Sequence, residues 1–333
     1  MIAEEPTRHG RPGEPRRYRI IRNPMAGAKG GISTNACTSE ELCDLAERHG
    51  LGSDVVEPGS EQEAKDAVRR AVEEGIDVVV AAGGDGTAGL VAEGLLGTPT
   101  ALAVLPLGSV MNIGRALGIP RDLEGAAAIV AAGHVATVDA GEASTADGRR
   151  VRFLETGSVG MNAAMFREAA RFDDGDYASI LRTIWVALRY RPARMLLELD
   201  QGQVRTRALM VTVSIGPYTG VGMTVAPGAR LDDGLFDVWV FRGFSKWELV
   251  RHLASIAFGR RHYAPHVSTY RSASVQVSSS RPLPARADGT DLGTTPVTFR
   301  TLPGVLRVVI PPRDTAQPAA GGSSGAASGR RRM

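Results

Sequence analysis

The sequence predicts an α/β N-terminal domain built on a parallel sheet, followed by a β-rich antiparallel sandwich. Three observations carry this prediction. Strand and helix signals alternate over roughly the first 120 residues, the pattern of a parallel sheet with helices on both faces. Beyond Ala140 the chain turns to short β segments separated by Gly and Pro turns. Glycine-rich turns also stand at the ends of strands in the first half.

In order, Tyr18 to Ile21 reads as a strand ending in Asn23-Pro24, Ser39 to His49 as a helix, and Asp54 to Glu57 as a short strand. Glu61 to Glu74 is a second helix. Val78 to Ala82 is an unbroken apolar run, the mark of a strand buried on both faces. Leu90 to Leu96 reads as a helix and Thr100 to Leu105 as the next strand. The later β segments are Val151 to Glu155, Met195 to Leu199, Ala208 to Ile215, Phe236 to Phe241, Ser274 to Val277, Val297 to Arg300 and Leu306 to Ile310. Helices over Tyr177 to Arg189 and Lys246 to Ala257 interrupt them. The expected organisation is a disordered lead over 1–16, an α/β domain over 17–139, a β-rich domain over 140–312 and a disordered tail over 313–333.

The bulk properties exclude several classes. A chain of 333 residues with 43% hydrophobic and 23% charged residues is long enough for about two ordinary globular domains. The formal charge of +3 and the 5% aromatic content give no basic, aromatic-rich stripe for nucleic acid. Cys37 and Cys43 are the only cysteines, too few for a disulfide framework or a zinc site. The polar lead lacks the apolar core of a signal peptide, and no stretch reaches the length of a membrane span, so a cytoplasmic location is expected. No obligate protein partner is indicated, and a homodimer is compatible with the sequence.

The chemistry concentrates in the turns. Gly83-Gly84-Asp85-Gly86-Thr87 follows the buried strand and opens a helix, with Gly89 in its first turns. Glycines at a strand-to-helix turn let backbone N–H groups approach phosphate oxygens, and the helix start adds partial positive charge. Asp85 can hold a ribose, a water or a substrate hydroxyl; Thr87 can cap the helix or touch a phosphate. A plain tight turn would use the same residues. Asn23-Pro24-Met25-Ala26-Gly27 ends the first strand and faces the same sheet edge. Gly108 and Ser109 follow the fourth strand, and Arg115 is expected two turns into the next helix, toward a carboxylate or phosphate. Arg230-Leu231-Asp232-Asp233-Gly234-Leu235 clusters carboxylates about a glycine, which suits either a hard cation or an ordinary hairpin.

These motifs, in this order, resemble the diacylglycerol kinase catalytic-domain family, including soluble bacterial lipid kinases related to sphingosine and ceramide kinases. The matching pieces are Asn23-Pro24-x-Ala26-Gly27, Gly83 to Thr87, Pro106-Leu107-Gly108-Ser109 with Arg115-x-Leu117-Gly118-Ile119-Pro120, Phe153-Leu154-x-x-Gly157-x-x-Gly160, Gly216-Pro217-Tyr218-x-Gly220-x-Gly222-Met223, Ala226 to Asp237, and Asp288-Gly289 before Pro296-Val297-x-Phe299. The resemblance spans about residues 18 to 312. It implies a first domain like those of phosphofructokinases and NAD kinases, a β-rich second domain whose last strand packs back on the first, and an active site between them. It implies ATP held by Gly83 through Gly89 and Ser109 with help from the Asn23 turn. It also implies Mg²⁺ at Asp233 and at the carbonyls of Arg230 and Leu235.

The chain departs from the family pattern at three points. The family's Pro-Leu-Gly-Thr-x-Asn is here Ser109-Val110-Met111, with Asn112 one place late. The family's catalytic Glu after Asp-Gly is Thr290, which cannot serve as a general base at neutral pH. Asp288 or Asp291 is the expected replacement, and Glu155, where the family has Asn, is a spare acid or base if it faces the cleft. The expected reaction is phosphoryl transfer from ATP to a lipid hydroxyl, diacylglycerol foremost, at the inner membrane face. The alternatives are a nucleotide- or lipid-binding homologue weakened by Thr290, and an NAD kinase, which shares Gly-Gly-Asp-Gly-Thr. The apolar stripe Ile180, Leu181, Ile184, Trp185, Leu188 is expected to pack on the second domain, with an interfacial helix as the alternative.

Overall fold

A computed structural model describes residues 15–24, 35, 37–173, 178–220, 222–242 and 267–312, with the side chains of 170–173, 178–181 and 184 left aside. The expected helix over Lys246 to Ala257, Gly27 and nearly all of both terminal segments lie outside the described residues. Arg16, expected within the leading disordered stretch, is described, and its guanidinium donates to the Gly133 carbonyl at 2.7 Å.

The first half builds β1 (Tyr18–Arg22), α1 (Ser39–Arg48), β2 (Val55–Val56), α2 (Glu61–Glu73), β3 (Val78–Gly83), α3 (Asp85–Leu95), β4 (Ala101–Pro106), α4 (Asn112–Ala116) and α5 (Leu123–Ala132). The strands pair in parallel in the order β2-β1-β3-β4. Every residue of β3 and β4 is buried, as a strand covered by helices on both faces requires. Helix starts follow local chemistry. Thr38 and Glu41 form a reciprocal capping box on α1, and Ser60 caps α2. Asp122 caps α5, which ends on Gly133 at φ 65°, a left-handed position that suits glycine.

The second half adds β5 (Val135–Thr145), β6 (Arg150–Phe153), β7 (Thr156–Gly160), α6 (Met161–Asp173), α7 (Ala178–Arg189), β8 (Ala193–Leu199), β9 (Gly202–Ala208), β10 (Met210–Ser214), β11 (Tyr218–Thr219), β12 (Met223–Thr224), β13 (Phe236–Phe241), β14 (Val267–Ser272), β15 (Ser274–Ser279), β16 (Pro284–Ala287), β17 (Thr290–Thr294) and β18 (Val297–Val309). Two sheets face each other. The smaller has six strands in the order β14-β13-β10-β7-β16-β17. The larger has ten and runs through both halves, β2-β1-β3-β4-β18-β15-β8-β9, with β5 and β6 branching from β18. Between the sheets, Phe153 stacks on Phe236 with centroids 5.8 Å apart and meets the Phe299 edge at 6.0 Å. Gly157 leaves room for that cluster, since a Cβ there would sit 2.3 Å from the Phe299 ring.

At the joint between the halves the last strand packs back on the first domain as expected, and only its division differs. The two strands expected over Val297 to Ile310 are one strand, β18, with an irregularity between Leu302 and Leu306. Its far end pairs Val308 with Leu102 of β4 in parallel, so the last strand extends the first sheet. Ala140 lies inside β5, which is antiparallel to β18 along most of its length. The buried Asp139 carboxylate clamps this crossing by accepting the N–H groups of Gly234 at 2.7 Å and Gly304 at 2.8 Å.

Candidate active site

The Gly83–Thr87 segment forms the β3–α3 turn, and its glycines divide into two kinds. A Cβ on Gly83 would lie 2.4 Å from the Thr87 hydroxyl, and one on Gly108 would lie 2.6 Å from the Gly84 Cα. These two glycines are demanded by packing, which presses the β3–α3 and β4–α4 turns together. Gly86 and Gly89 meet nothing within 4 Å and line an open cleft. The helix starts with Gly84 as its N-cap and no side-chain cap. Thr87 therefore does not cap it; its hydroxyl accepts from Asn23 Nδ2 at 3.3 Å, tying the first two glycine turns to each other.

Asp85 caps the neighbouring helix instead. Its two carboxylate oxygens accept the N–H groups of Asn112 and Ile113, both at 2.9 Å, at the start of α4. Met111 immediately before α4 is left-handed at φ 56°, ψ 50°. Asn112 follows this left-handed residue with its side chain turned inward. Asn112 is 2% exposed, and its amide donates to Glu155 Oε2 and to the Gly220 carbonyl, each at 2.9 Å. Its Oδ1 is buried without a partner.

The opposite wall is the β16–β17 hairpin. Asp288 sits in its turn at φ 43°, a region that Asp tolerates better than most residues. Its carboxylate accepts the N–H groups of Leu154 at 2.8 Å, Glu155 at 3.1 Å and Thr156 at 2.8 Å, which pins the loop before β7 against the hairpin. Thr290 opens β17 and lines the cleft. Asp291 points elsewhere: its exposed carboxylate pairs with Arg167 at 2.7 Å and does not line the cleft. Arg286 also lines the cleft, 3.6 Å above the Phe166 ring.

The cleft between these walls measures about 1080 Å³. It brings together Asn23, Asp85, Gly86, Thr87 and Gly89 on one side with Glu155, Arg286, Asp288 and Thr290 on the other. Its electrostatics centre on Glu155. Burial, the Asp288 charge and the Asp85 charge push its carboxyl up to about 8, against the weaker pull of Asn112 and Arg286. Burial is also the main cause that raises Asp288, opposed by its three backbone donors.

Other expected site residues lie away from this cleft. Gly108 and Ser109 do not line it, and the Ser109 carbonyl accepts from Arg121 at 2.6 Å. Arg115 lies in the short α4 rather than deep in a longer helix. Its guanidinium stacks 4.0 Å from the Tyr218 ring and donates to the Gly222 carbonyl, so it braces the β11–β12 ribbon. Arg230, Asp233 and Leu235 form the turn before β13. There Asp233 accepts the Leu235 N–H at 3.1 Å and pairs with Arg271, with the Arg230 guanidinium 4.0 Å away. Guanidinium groups already neutralise that carboxylate, and this arrangement does not fit a dication. Among the described residues no cluster of three His, Cys, Asp or Glu side chains is placed to hold a metal.

Of the α7 stripe, Trp185 and Leu188 depart from expectation, and the side chains of Ile180, Leu181 and Ile184 lie outside those described. Ala187 is buried with Met161, but Trp185 is 55% exposed and Leu188 is 37% exposed. The Arg189 guanidinium lies 4.5 Å from the Trp185 ring centroid. Among the described residues no helix is long and apolar enough to cross a membrane.

Sequence reasoning missed Arg286 and the pivotal place of Asn112. The Asp288-Gly289 pair between alternating residues was a hairpin signal that would have placed Arg286 beside Asp288. Asn112 carried no comparable local signal.

The sequence and the architecture have relatives. Residues 17–143 match the diacylglycerol kinase catalytic domain, and residues 156–310 match the YegS C-terminal NAD kinase beta sandwich-like domain. Among curated proteins, the chain is 24% identical over 301 residues to a diacylglycerol kinase of Staphylococcus saprophyticus, covering 89% of this chain and 96% of that one. It is 26% identical over 316 residues to a diacylglycerol kinase of Staphylococcus aureus, covering 89% and 93%. A crystal structure of a diacylglycerol kinase from Bacillus anthracis shares the fold with a TM-score of 0.65 at 19% identity, over 89% of this chain and 97% of that one. With both halves matched in order, the chain joins a diacylglycerol kinase catalytic domain to a YegS-type C-terminal domain, as its similarity to diacylglycerol kinases along most of its length also indicates, and is a kinase-type phosphotransferase.

Proposed function

We propose that this protein transfers the γ-phosphoryl group of ATP to the primary hydroxyl of a membrane lipid, diacylglycerol foremost, giving phosphatidic acid. The observation that carries the reading is the cleft itself, with Gly86, Gly89 and Thr87 on one wall and a carboxylate-bearing hairpin on the other. The open glycines give phosphate oxygens access to backbone N–H groups at the start of α3. Thr87 and Asn23 extend that polar wall. The family relation and the relatives' names support diacylglycerol as the acceptor.

Magnesium enters this reading with the nucleotide, whose phosphate charge it would neutralise; the Asp233 turn is not assigned to it. Phosphoryl transfer of this kind depends mainly on positioning and charge neutralisation. The exposed Trp185 and Leu188, with Arg189 beside them, support peripheral contact with an anionic bilayer from the α7 side. The test is incubation with γ-labelled ATP, Mg²⁺ and mixed micelles holding diacylglycerol or a bacterial lipid extract. Label in an organic-extractable product is expected. Nucleotide binding with no labelled lipid from either preparation overturns the reading.

A further inference from the structure

We infer that Glu155 is the general base of the transfer, taking the place of the carboxylate that Thr290 does not supply. This rests on the lipid-kinase reading above.

Five carboxylates line the cleft: Glu61, Asp85, Glu93, Glu155 and Asp288. Both oxygens of Asp85 are committed to the α4 N–H groups of Asn112 and Ile113. Asp288 accepts from three successive backbone donors, and freeing it would release the loop it holds. Glu61 is paired with Lys65 at 2.6 Å. Glu93 lies two turns along α3 from Asp85, roughly 12 Å at helical rise. Asp291, the remaining acid of the hairpin, pairs with Arg167 outside the cleft. Glu155 differs from all of these. One oxygen, Oε2, is oriented by Asn112 Nδ2 at 2.9 Å, and Oε1 accepts no hydrogen bond from the described residues. Its backbone is fixed by Asp288 and its side chain by Asn112, so the free oxygen is held rather than wandering.

The groups facing Glu155 are Asp85 from α3, Asn112 from α4, Asp288 from the hairpin turn and Arg286 from β16. Two anions and partial burial favour proton uptake, which is what a base must do during the transfer. Asn112 couples this to the late position of the Asn in its motif: turned inward after Met111, it reaches position 155, where this chain carries Glu.

The lipid hydroxyl oxygen bonds to the γ-phosphorus of the nucleoside triphosphate as its proton passes to Glu155 Oε1. The bond from γ-phosphorus to the bridging oxygen breaks, and its electron pair leaves on the nucleoside diphosphate. Glu155 then returns the proton to water through the open cleft.

The experiment compares the full-length wild type with Glu155→Gln. Initial rates of ATP-dependent diacylglycerol phosphorylation are read from about pH 6 to about pH 9, with ATP affinity and thermal melting measured on the same samples. The substitution is expected to lower kcat by roughly 100-fold or more, remove the rise of activity with pH, and leave ATP affinity within about threefold. Melting of the nucleotide-free protein should favour the variant more at about pH 9 than at about pH 6. Retention of more than about a tenth of kcat with the same pH profile overturns the assignment. An equal loss of ATP affinity and activity, with lowered melting at every pH, also overturns it and marks Glu155 as structural. A wild type that binds ATP but labels no lipid instead overturns the kinase reading, and the base with it.

Discussion

Asp288 holds Glu155 by its backbone while opposing it by charge. The Glu155 N–H lies 3.1 and 3.3 Å from the two Asp288 oxygens, yet the Asp288 charge is among the causes that raise the Glu155 carboxyl. One residue therefore both places the second carboxylate and makes it hard to ionise.

Asp288→Asn separates these two effects. The turn conformation at φ 43° suits Asn, so the hairpin should survive. One acceptor oxygen is lost from a site serving three N–H groups, and stability should fall by about 1–3 kcal/mol in urea denaturation. Removing the negative charge lets Glu155 ionise more easily. The acid limb of the pH–rate profile should shift to lower pH. A limb that stays in place would separate Glu155 from the observed titration.

Gly86→Ala tests whether the open glycine serves the ligand or the fold. A Cβ at Gly86 meets no atom within 4 Å, and the position is helical. The alanine should therefore keep or raise stability, by up to about 1 kcal/mol. ATP affinity should fall by about tenfold or more if backbone N–H groups there approach phosphate. Gly108→Ala is the contrast: its Cβ would lie 2.6 Å from the Gly84 Cα, so melting temperature should drop along with binding. Calorimetric titration and thermal melting of the two variants decide the matter. An unaffected affinity in Gly86→Ala would remove that turn from the nucleotide site.

The first sheet was legible because each element there is locally consistent. The apolar runs of β3 and β4, the capping residues Thr38 and Ser60, and the glycine turns all follow short-range rules. Helix α5 is equally marked, by Asp122 and Gly133 at its ends. The candidate site was harder to see. Asn112 lies 27 residues from Asp85 and 43 from Glu155, and Asp288 reaches back across 133 positions to the Glu155 N–H. Only the pairing of β16 with β7, and the return of β18 to β4, bring these residues to one place. The exposure of Trp185 and Leu188 was likewise hidden, because helical spacing of apolar residues does not reveal which face is covered.

The α7 surface gives a prediction independent of catalysis. Trp185→Ser with Leu188→Ser removes two exposed apolar side chains and leaves buried Ala187 untouched. Fold stability should change by less than about 1 kcal/mol. Partitioning onto anionic vesicles should fall by about tenfold in a sedimentation assay, while turnover on a short-chain soluble acceptor stays near wild type. Equal binding of both proteins to vesicles would exclude this face as the contact.

The raised Glu155 carboxyl also makes stability depend on pH, with a definite sign. Its ordinary value is 4.5 and its folded value is about 8. Between those limits the native protein keeps a proton that the unfolded chain has released, so stability from this group falls as pH rises. The penalty is absent below the unfolded value and complete above the folded one. Glu155→Gln, which resembles the protonated acid and still offers an oxygen to Asn112, should show no such fall. The difference in melting temperature between the two proteins should be near zero at about pH 5 and reach about 5 °C or more in favour of the variant at about pH 9, corresponding to about 2–4 kcal/mol. Asp85, Asp288 and Arg286 are common to both proteins, so the difference isolates position 155. A difference that stays constant across this range would mean that Glu155 ionises as an ordinary exposed carboxylate, and the proximity of Asp85 and Asp288 would then count for little.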